Sequence, residues 1–114
     1  MFRPGVPHPF AIDAAMKADG YVIHIEGDLD LNQCPRLERA LEDAESSEAL
    51  RVLLDVEELT QIDAAGLHAI LLASRRSASN GNRMRLTPGK GIVADMFHLT
   101  ALDITLPFTP RERI

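Results

Sequence analysis

Apolar residues along this chain recur first at every second position, then at every third or fourth, and the alternation of periods repeats. In "YVIHIEG", Tyr21, Ile23 and Ile25 alternate with Val22, His24 and Glu26, the period of a half-buried strand. A preceding segment, Phe10 to Lys17, is joined to it through "ADG", a turn composition, and the two read as paired strands. Within "GDLDLNQCPRLERALEDAES" the period changes. Leu37, Ala40, Leu41 and Ala44 fall at i, i+3, i+4 and i+7 and share one face of a helix, with Asn32 as its cap and Pro35 in the first turn. "RVLLDVEEL" is a short apolar run that predicts an interior strand covered on both faces. A second helix follows, its buried stripe traced by Leu67, Ile70, Leu71 and Ser74, and Asn80-Gly81 predicts its end. "RMRLT" reads as a strand and "PGKG" as a turn. A third helix carries Ile92, Val93, Met96 and Phe97, and "ITLPF" makes a last short strand.

The predicted order is ββαβαβαβ. Strands alternating with helices require crossover connections, so the expected fold is α/β, with a mixed, largely parallel sheet of four to five strands. In such sheets functional sites lie where the carboxyl ends of strands lead into helix N-termini. Asp63, between "LTQI" and the second helix, occupies such a corner. The three prolines and one glycine of "MFRPGVPHPF" predict a flexible lead-in over residues 1–9, with the domain at 10–114.

Composition narrows the function classes. With 114 residues the default is one domain with one core. Hydrophobic residues at 46% and charged residues at 25% are ordinary for a globular chain. A net charge of −5 argues against a nucleic-acid backbone binder. The longest apolar run, in "GLHAILLAS", falls short of the roughly 18 to 20 residues a membrane span requires, so no direct membrane insertion is expected. The first ten residues have no apolar core of a signal peptide. Cys34 is the only cysteine and cannot form an intrachain disulfide, which agrees with a cytoplasmic location.

The candidate chemistry is sparse. A carboxylate at position 63 is explained as a helix cap, accepting hydrogen bonds from the first turn at the positive end of the dipole. The carboxylates Asp28, Asp30, Asp55, Glu57, Glu58 and Asp63 fall near the carboxyl edge of the predicted sheet, and clustered acids are the means by which proteins hold Mg²⁺. A phosphate-receiving site on Asp55 with Lys90 would need an acidic pair after the first strand, whereas "GDLD" follows the second. His8, His24, His68 and His98 show no metal-ligand spacing, and Cys34 has no local signature of a nucleophile. "PGKG" lacks the spacing of a phosphate loop, and no GxSxG elbow is present. Neither catalysis nor a cofactor is expected. Thr60, Ser74 and Ser77 are read as surface hydroxyls.

The order "GDLDL … VLLDVEELTQIDAAGL … GNRMRLT … FHLTALD" resembles the STAS domain, named for sulphate transporters and anti-sigma factor antagonists. The resemblance runs from about Tyr21 to Leu106, and its most specific pieces are Gly27-Asp28-Leu29-Asp30, Asp55, and Ile62-Asp63 followed by Gly66-Leu67. In the antagonists the corner usually reads Asp-Ser-Ser-Gly, and the serine before the glycine is phosphorylated by the partner, an anti-sigma factor of the histidine-kinase-like ATPase type. Phosphate adds about −1.5 to −2 charges and releases that partner. Here the acceptor position is Ala65, and its neighbour is Ala64.

The resemblance therefore implies a non-catalytic, cytoplasmic binding module, possible as a homodimer, that docks an anti-sigma factor and carries no phosphorylation switch at the corner. Its implied contact residues are Asp28, Asp30, Asp63, Ala64, Ala65, Gly66 and His68. A second implication differs in class. Some free-standing STAS proteins with alanine before the corner glycine support an ABC-type lipid transporter.

Overall fold

The computed structural model describes residues 8–18, 20–100 and 105–109. Strand β1 (Ala11–Lys17) and strand β2 (Gly20–Leu29) form an antiparallel hairpin, with Lys17 opposite Gly20. A 3-10 turn, Leu31–Gln33, leads into helix α1 (Cys34–Ser46). Strand β3 (Val52–Ile62), helix α2 (Ala64–Ser79), strand β4 (Met84–Leu86) and helix α3 (Gly91–Leu99) follow. The four-stranded sheet has the order β1-β2-β3-β4, antiparallel at β1 and parallel at β2-β3 and β3-β4. The last expected strand is reduced to a parallel bridge between Phe108 and Leu86, and Ile104 lies outside the described residues.

All three helices contribute to one contiguous core. Ile23 and Ile25 of β2, Leu54 of β3, Leu37 of α1, Ile70 of α2 and Phe97 of α3 are essentially inaccessible to solvent. The expectation that "RVLLDVEEL" would be covered on both faces is corrected by its burial. Val52, Leu54 and Val56 are buried while Leu53, Asp55 and Glu57 are only half-buried, so β3 presents one face to the helices and the other outward. Beyond Val56 the alternation breaks. His24 pairs with Asp55 but Glu26 with Glu58, and Gly27 pairs with Leu59 but Asp28 with Gln61, so β3 carries two extra residues against β2. These bulges return Leu59 and Ile62 to the core.

Two helix details differ from the sequence reading. Asp30, rather than Asn32, caps the entry to α1. Its Oδ1 accepts the Asn32 N–H at 3.0 Å, and Gln33, the residue before α1, makes no side-chain cap bond. In α2 the buried stripe is Gly66, Leu67, Ala69, Ile70 and Ala73, while Leu71 and Ser74 are half-buried. Small residues let this helix lie close to the sheet, which rotates its inward face. Asn80 follows α2 without entering the left-handed region; Gly81 and Asn82 adopt positive φ values of 95° and 55°. In α3 only Val93 and Phe97 are buried, and Ile92 is half in solvent.

Where β4 stops, a threonine continues its pairing. The Thr87 N–H donates to the Leu54 carbonyl, and Thr87 Oγ1 accepts the Val56 N–H at 2.8 Å, which explains a fully buried hydroxyl. Thr60 and Ser77 are half-buried, and their hydroxyls are bonded within the fold rather than free at the surface. Thr60 Oγ1 donates to Asp28 Oδ1 at 2.6 Å, and Ser77 Oγ accepts the Met84 N–H at 2.8 Å.

At the other end of β2 the segment before β1 crosses Gly27. The Asp28 N–H donates to the His8 carbonyl at 3.0 Å, and the His8 N–H donates to Asp28 Oδ2 at 2.9 Å. Gly27 has a φ of 83°, and a Cβ there would overlap the Pro9 carbonyl. Gly27→Ala should therefore cost about 2 to 3 kcal/mol in urea unfolding, the sum of left-handed strain and displacement of the crossing segment. Gly91→Ala has a φ of 55° but open space around the new methyl, and should cost less. Equal losses would show that the crossing contact contributes nothing.

Candidate functional site

The corner between β3 and α2 is held by Asp63. Its Oδ1 accepts the Gly66 N–H at 2.9 Å, which caps α2, and its Oδ2 accepts the Leu31 N–H at 3.1 Å. The Asp63 N–H in turn donates to the Leu29 carbonyl at 3.2 Å. One residue thus ties the end of β2, the turn after it and the start of α2 together. Gly66 is the reason α2 can start so close to the sheet. A Cβ at this position would lie 2.9 Å from both Ile62 Cγ1 and Leu29 Cγ. The glycine is buried, so the approach it permits is made within the chain by Leu29 and Ile62.

The remaining contact residues expected from the resemblance divide by position. Ala64 and His68 are exposed and Ala65 is half-buried, packed against the core. Asp30 sits on the facing turn, next to Leu31, and its carboxylate caps that turn. Asp28 is committed to the fold through His8 and Thr60, with the His8 ring Nδ1 a further 3.8 Å from its Oδ1. The structure therefore brings Asp30, Asp63, Ala64, Ala65 and His68 to one corner and leaves Asp28 anchoring the segment before β1.

The other carboxylates are dispersed. Asp55 Oδ1 accepts the Glu57 N–H at 3.0 Å, and its Oδ2 lies 3.2 Å from His24 Nδ1 on the helix-free face. Glu58 pairs with Lys90 at 3.9 Å, both largely in solvent, so this contact adds little stability. Among the described residues no three histidine, cysteine, aspartate or glutamate side chains converge as metal ligands.

Beside the corner runs a shallow groove of about 170 Å³ between α1 and α2, lined by Leu31, Cys34, Ala65, His68 and Leu72, with Glu38 and Arg76 among its polar residues. Leu31 is 68% exposed and Leu72 39%, high for large apolar side chains. Neither was expected at the site from sequence. The signal was present in α2, where Ala65, His68 and Leu72 stand at i, i+3 and i+7 and flank the core stripe at Ala69. Leu31 carries no such signal, because its position depends on the long-range bond to Asp63.

Cys34 closes the groove floor. It is buried, and its Sγ donates to the Asp30 carbonyl at 3.4 Å. Burial, followed by the charges of Asp63, Glu38 and Asp30, pushes its thiol up from the ordinary range, so the nucleophilic thiolate is disfavoured. The native protein should react with a disulfide reagent such as dithionitrobenzoate at pH 7.5 at least about tenfold more slowly than the urea-unfolded chain. Equal rates would contradict this placement. Gly66→Ala should destabilise by about 1 to 3 kcal/mol in chemical denaturation, since Leu29 or Ile62 must give way; an unchanged midpoint would show that the contact relaxes freely.

Comparisons with known proteins agree on the fold. Three solved structures share it. An anti-sigma factor antagonist from Mycobacterium paratuberculosis is 19% identical, with a TM-score of 0.78 over 92% of this chain and 89% of that one. The anti-sigma factor antagonist SpoIIAA in its unphosphorylated form is 19% identical, with a TM-score of 0.71 over 90% of this chain and 91% of that one. The phosphorylated form of SpoIIAA, a Bacillus cell-fate determinant, is also 19% identical, with a TM-score of 0.66 over 90% and 95%. The family model described as "Mlab, STAS domain" matches residues 12–108, nearly the whole described domain, and by that match the chain belongs to the STAS-domain family.

Proposed function

We propose that this chain is a regulatory binding module of the anti-sigma factor antagonist type, docking an anti-sigma factor of the histidine-kinase-like ATPase type through the corner from Asp63 to His68. The observation that carries the reading is the chemistry of that corner. Ala64 and His68 face solvent beside a capping carboxylate, and Ala64 and Ala65 bear methyl groups in place of hydroxyls. Asp63 is held by two backbone N–H groups, so it is preorganised, and its charge lies at the rim of a close contact. Asp30 extends the surface across the facing turn, Gly66 serves it from below by seating α2, and Asp28 supports it at a distance by anchoring the segment before β1.

A contact of this kind is sensitive to added charge, because a carboxylate or phosphate beside Asp63 meets repulsion and desolvation. In this reading the methyl groups keep the site permanently competent. Phosphorylation at position 65 has no acceptor, and control of the interaction lies in the abundance of the module or of competing relatives. The module acts in the cytoplasm without catalysis or a cofactor, and binds protein rather than nucleic acid. SpoIIAA, an anti-sigma factor antagonist with the same fold, supports the coarser reading that the partner is an anti-sigma factor.

A second reading is favoured by Ala65 before Gly66, the feature shared with STAS proteins that support an ABC-type lipid transporter. In that reading the same corner seats an ATPase subunit. Affinity purification of the tagged chain from its host, followed by mass spectrometry, separates the two. A kinase-type anti-sigma factor is the expected companion; transporter subunits would move the function to the second reading.

Ala64→Glu should weaken partner binding by at least about tenfold, equivalent to about 1.4 kcal/mol, without altering stability, because residue 64 is exposed. Titration calorimetry with the purified partner checks this, and unchanged affinity would remove the corner from the interface. Ala65→Ser should restore an acceptor hydroxyl that the kinase-type partner phosphorylates in the presence of ATP, whereas the native chain takes up no label at this position.

A further inference from the structure

The pole of the sheet opposite the corner carries a different chemistry. β3 runs 11 residues from Val52 to Ile62, so its two ends are separated by roughly 33 Å. At the amino end, Leu50, Arg51, Asn82, Arg83 and Arg85 line an open depression of about 450 Å³. Three guanidinium groups gather there in a chain whose net charge is −5. None of the three has a carboxylate partner among the described residues; the Arg and Lys ion pairs are Arg76 with Glu45 and Lys90 with Glu58.

Two of the three are positioned by backbone carbonyls. Arg83 donates to the Glu45 carbonyl in the last turn of α1 and to the Ser47 and Ala49 carbonyls just past it, where a cation also complements the helix dipole. Arg85 Nη1 donates to the Met84 carbonyl at 2.7 Å and the Asn82 carbonyl at 3.1 Å. The cost of ordering these long side chains is thus met within the fold before any ligand arrives. Arg51 is exposed and makes no side-chain hydrogen bond among the described residues, and its neighbours Val52 and Leu54 alternate inward, which places Arg51 on the helix-free side with Arg85. Asn82 is the only residue other than glycine with positive φ among the described residues. Leu50, 86% exposed, forms an apolar lip.

We propose that this pole is a binding site for a phosphoryl anion, one or two phosphate groups carried on a small body. Arg51 and Arg85 supply the charged donors and Arg83 the fixed positive field. Guanidinium groups suit this task because their planar donors match two oxygens of one phosphate and remain charged at every physiological pH. A carboxylate ligand offers a single planar pair of oxygens, whereas the tetrahedral oxygens of a phosphate can meet donors from two guanidinium groups at once. The depression also exceeds a single phosphate in size, leaving room for a sugar-sized body against Leu50. Such a group is supplied either by a soluble phosphate ester or by the headgroup of an anionic lipid, and the chemistry of recognition is the same.

The test uses the full chain at about 150 mM chloride, where diffuse surface charge is screened beyond about 8 Å. Sodium pyrophosphate is titrated while backbone and arginine side-chain N–H signals are followed by NMR, and vesicles of phosphatidylcholine with and without phosphatidic acid are sedimented with the protein. Saturable shifts centred on residues 50–51 and 82–85 are expected, with affinity falling at least fivefold in Arg51→Gln and again in Arg85→Gln. Arg51 has no side-chain bond to lose among the described residues, so its variant keeps the fold, as circular dichroism verifies. Arg75→Gln, exposed on α2 and equal in charge change, should bind like the native chain. Pyrophosphate binding without sedimentation assigns a soluble ester; sedimentation with phosphatidic acid that Arg51→Gln abolishes assigns a headgroup. Absence of both overturns the proposal, as does an affinity that Arg75→Gln lowers as much as Arg51→Gln, because binding would then follow net charge rather than this depression. Neither result bears on the corner, which lies at the other end of β3.

Discussion

The Asp63 carboxylate is the constraint on which the corner depends. A β-strand that ends against a helix leaves backbone donors without partners, and here one side chain satisfies two of them at once, from Gly66 and Leu31. Because Leu31 belongs to the turn after β2, the bond fixes the position of one loop relative to a helix 32 residues away in sequence. Gly66 is the complementary requirement, since only a residue without Cβ lets α2 begin against Leu29 and Ile62. The outward surface of Ala64, Ala65 and His68 is a consequence of these two residues, which set the height and direction of the helix.

The sheet explains why the molecule has two distinct ends. With the helices contributing to one core, the parallel strands β2 and β3 deliver their carboxyl ends to the Asp63 corner, while their amino ends, with the short β4 beside Val52–Leu54, form the arginine pole. The starts of α1 and α2 gather with the first and their ends with the second. Asp63 at the start of α2 and Arg83 at the end of α1 each complement a helix dipole. The proposed functions use charges placed where the fold already favours them.

Much of this was legible in the sequence because it follows from local periodicity. The alternation in Tyr21 to Ile25, the helical spacing of Leu37 and Leu41, and the cap at Asp63 all depend on residues near one another. What was not legible depends on contacts distant in sequence. The two extra residues of β3 against β2 shift its inward positions, and no feature of "LLDVEELTQI" alone reveals them. Asp28 was expected among the contact residues, and only the placement of His8 and Thr60 against it reveals its structural role. The buried face of α2 is rotated from the one traced by Leu71 and Ser74 because Gly66, Ala69 and Ala73 pack more closely than larger residues can. At the site the corner was readable and the groove beside it was not, since Leu31 reaches it only through the bond to Asp63.

The central claim, that a partner protein docks on this corner, is tested most directly by amide hydrogen exchange on the chain with and without its copurified partner. The account predicts new protection at the exposed N–H groups of residues 30–33 and along 63–72, with little change at residues 50–51 and 82–85. Protection confined to the helix-free face of β1 to β3, with residues 63–72 exchanging as in the free chain, would contradict it.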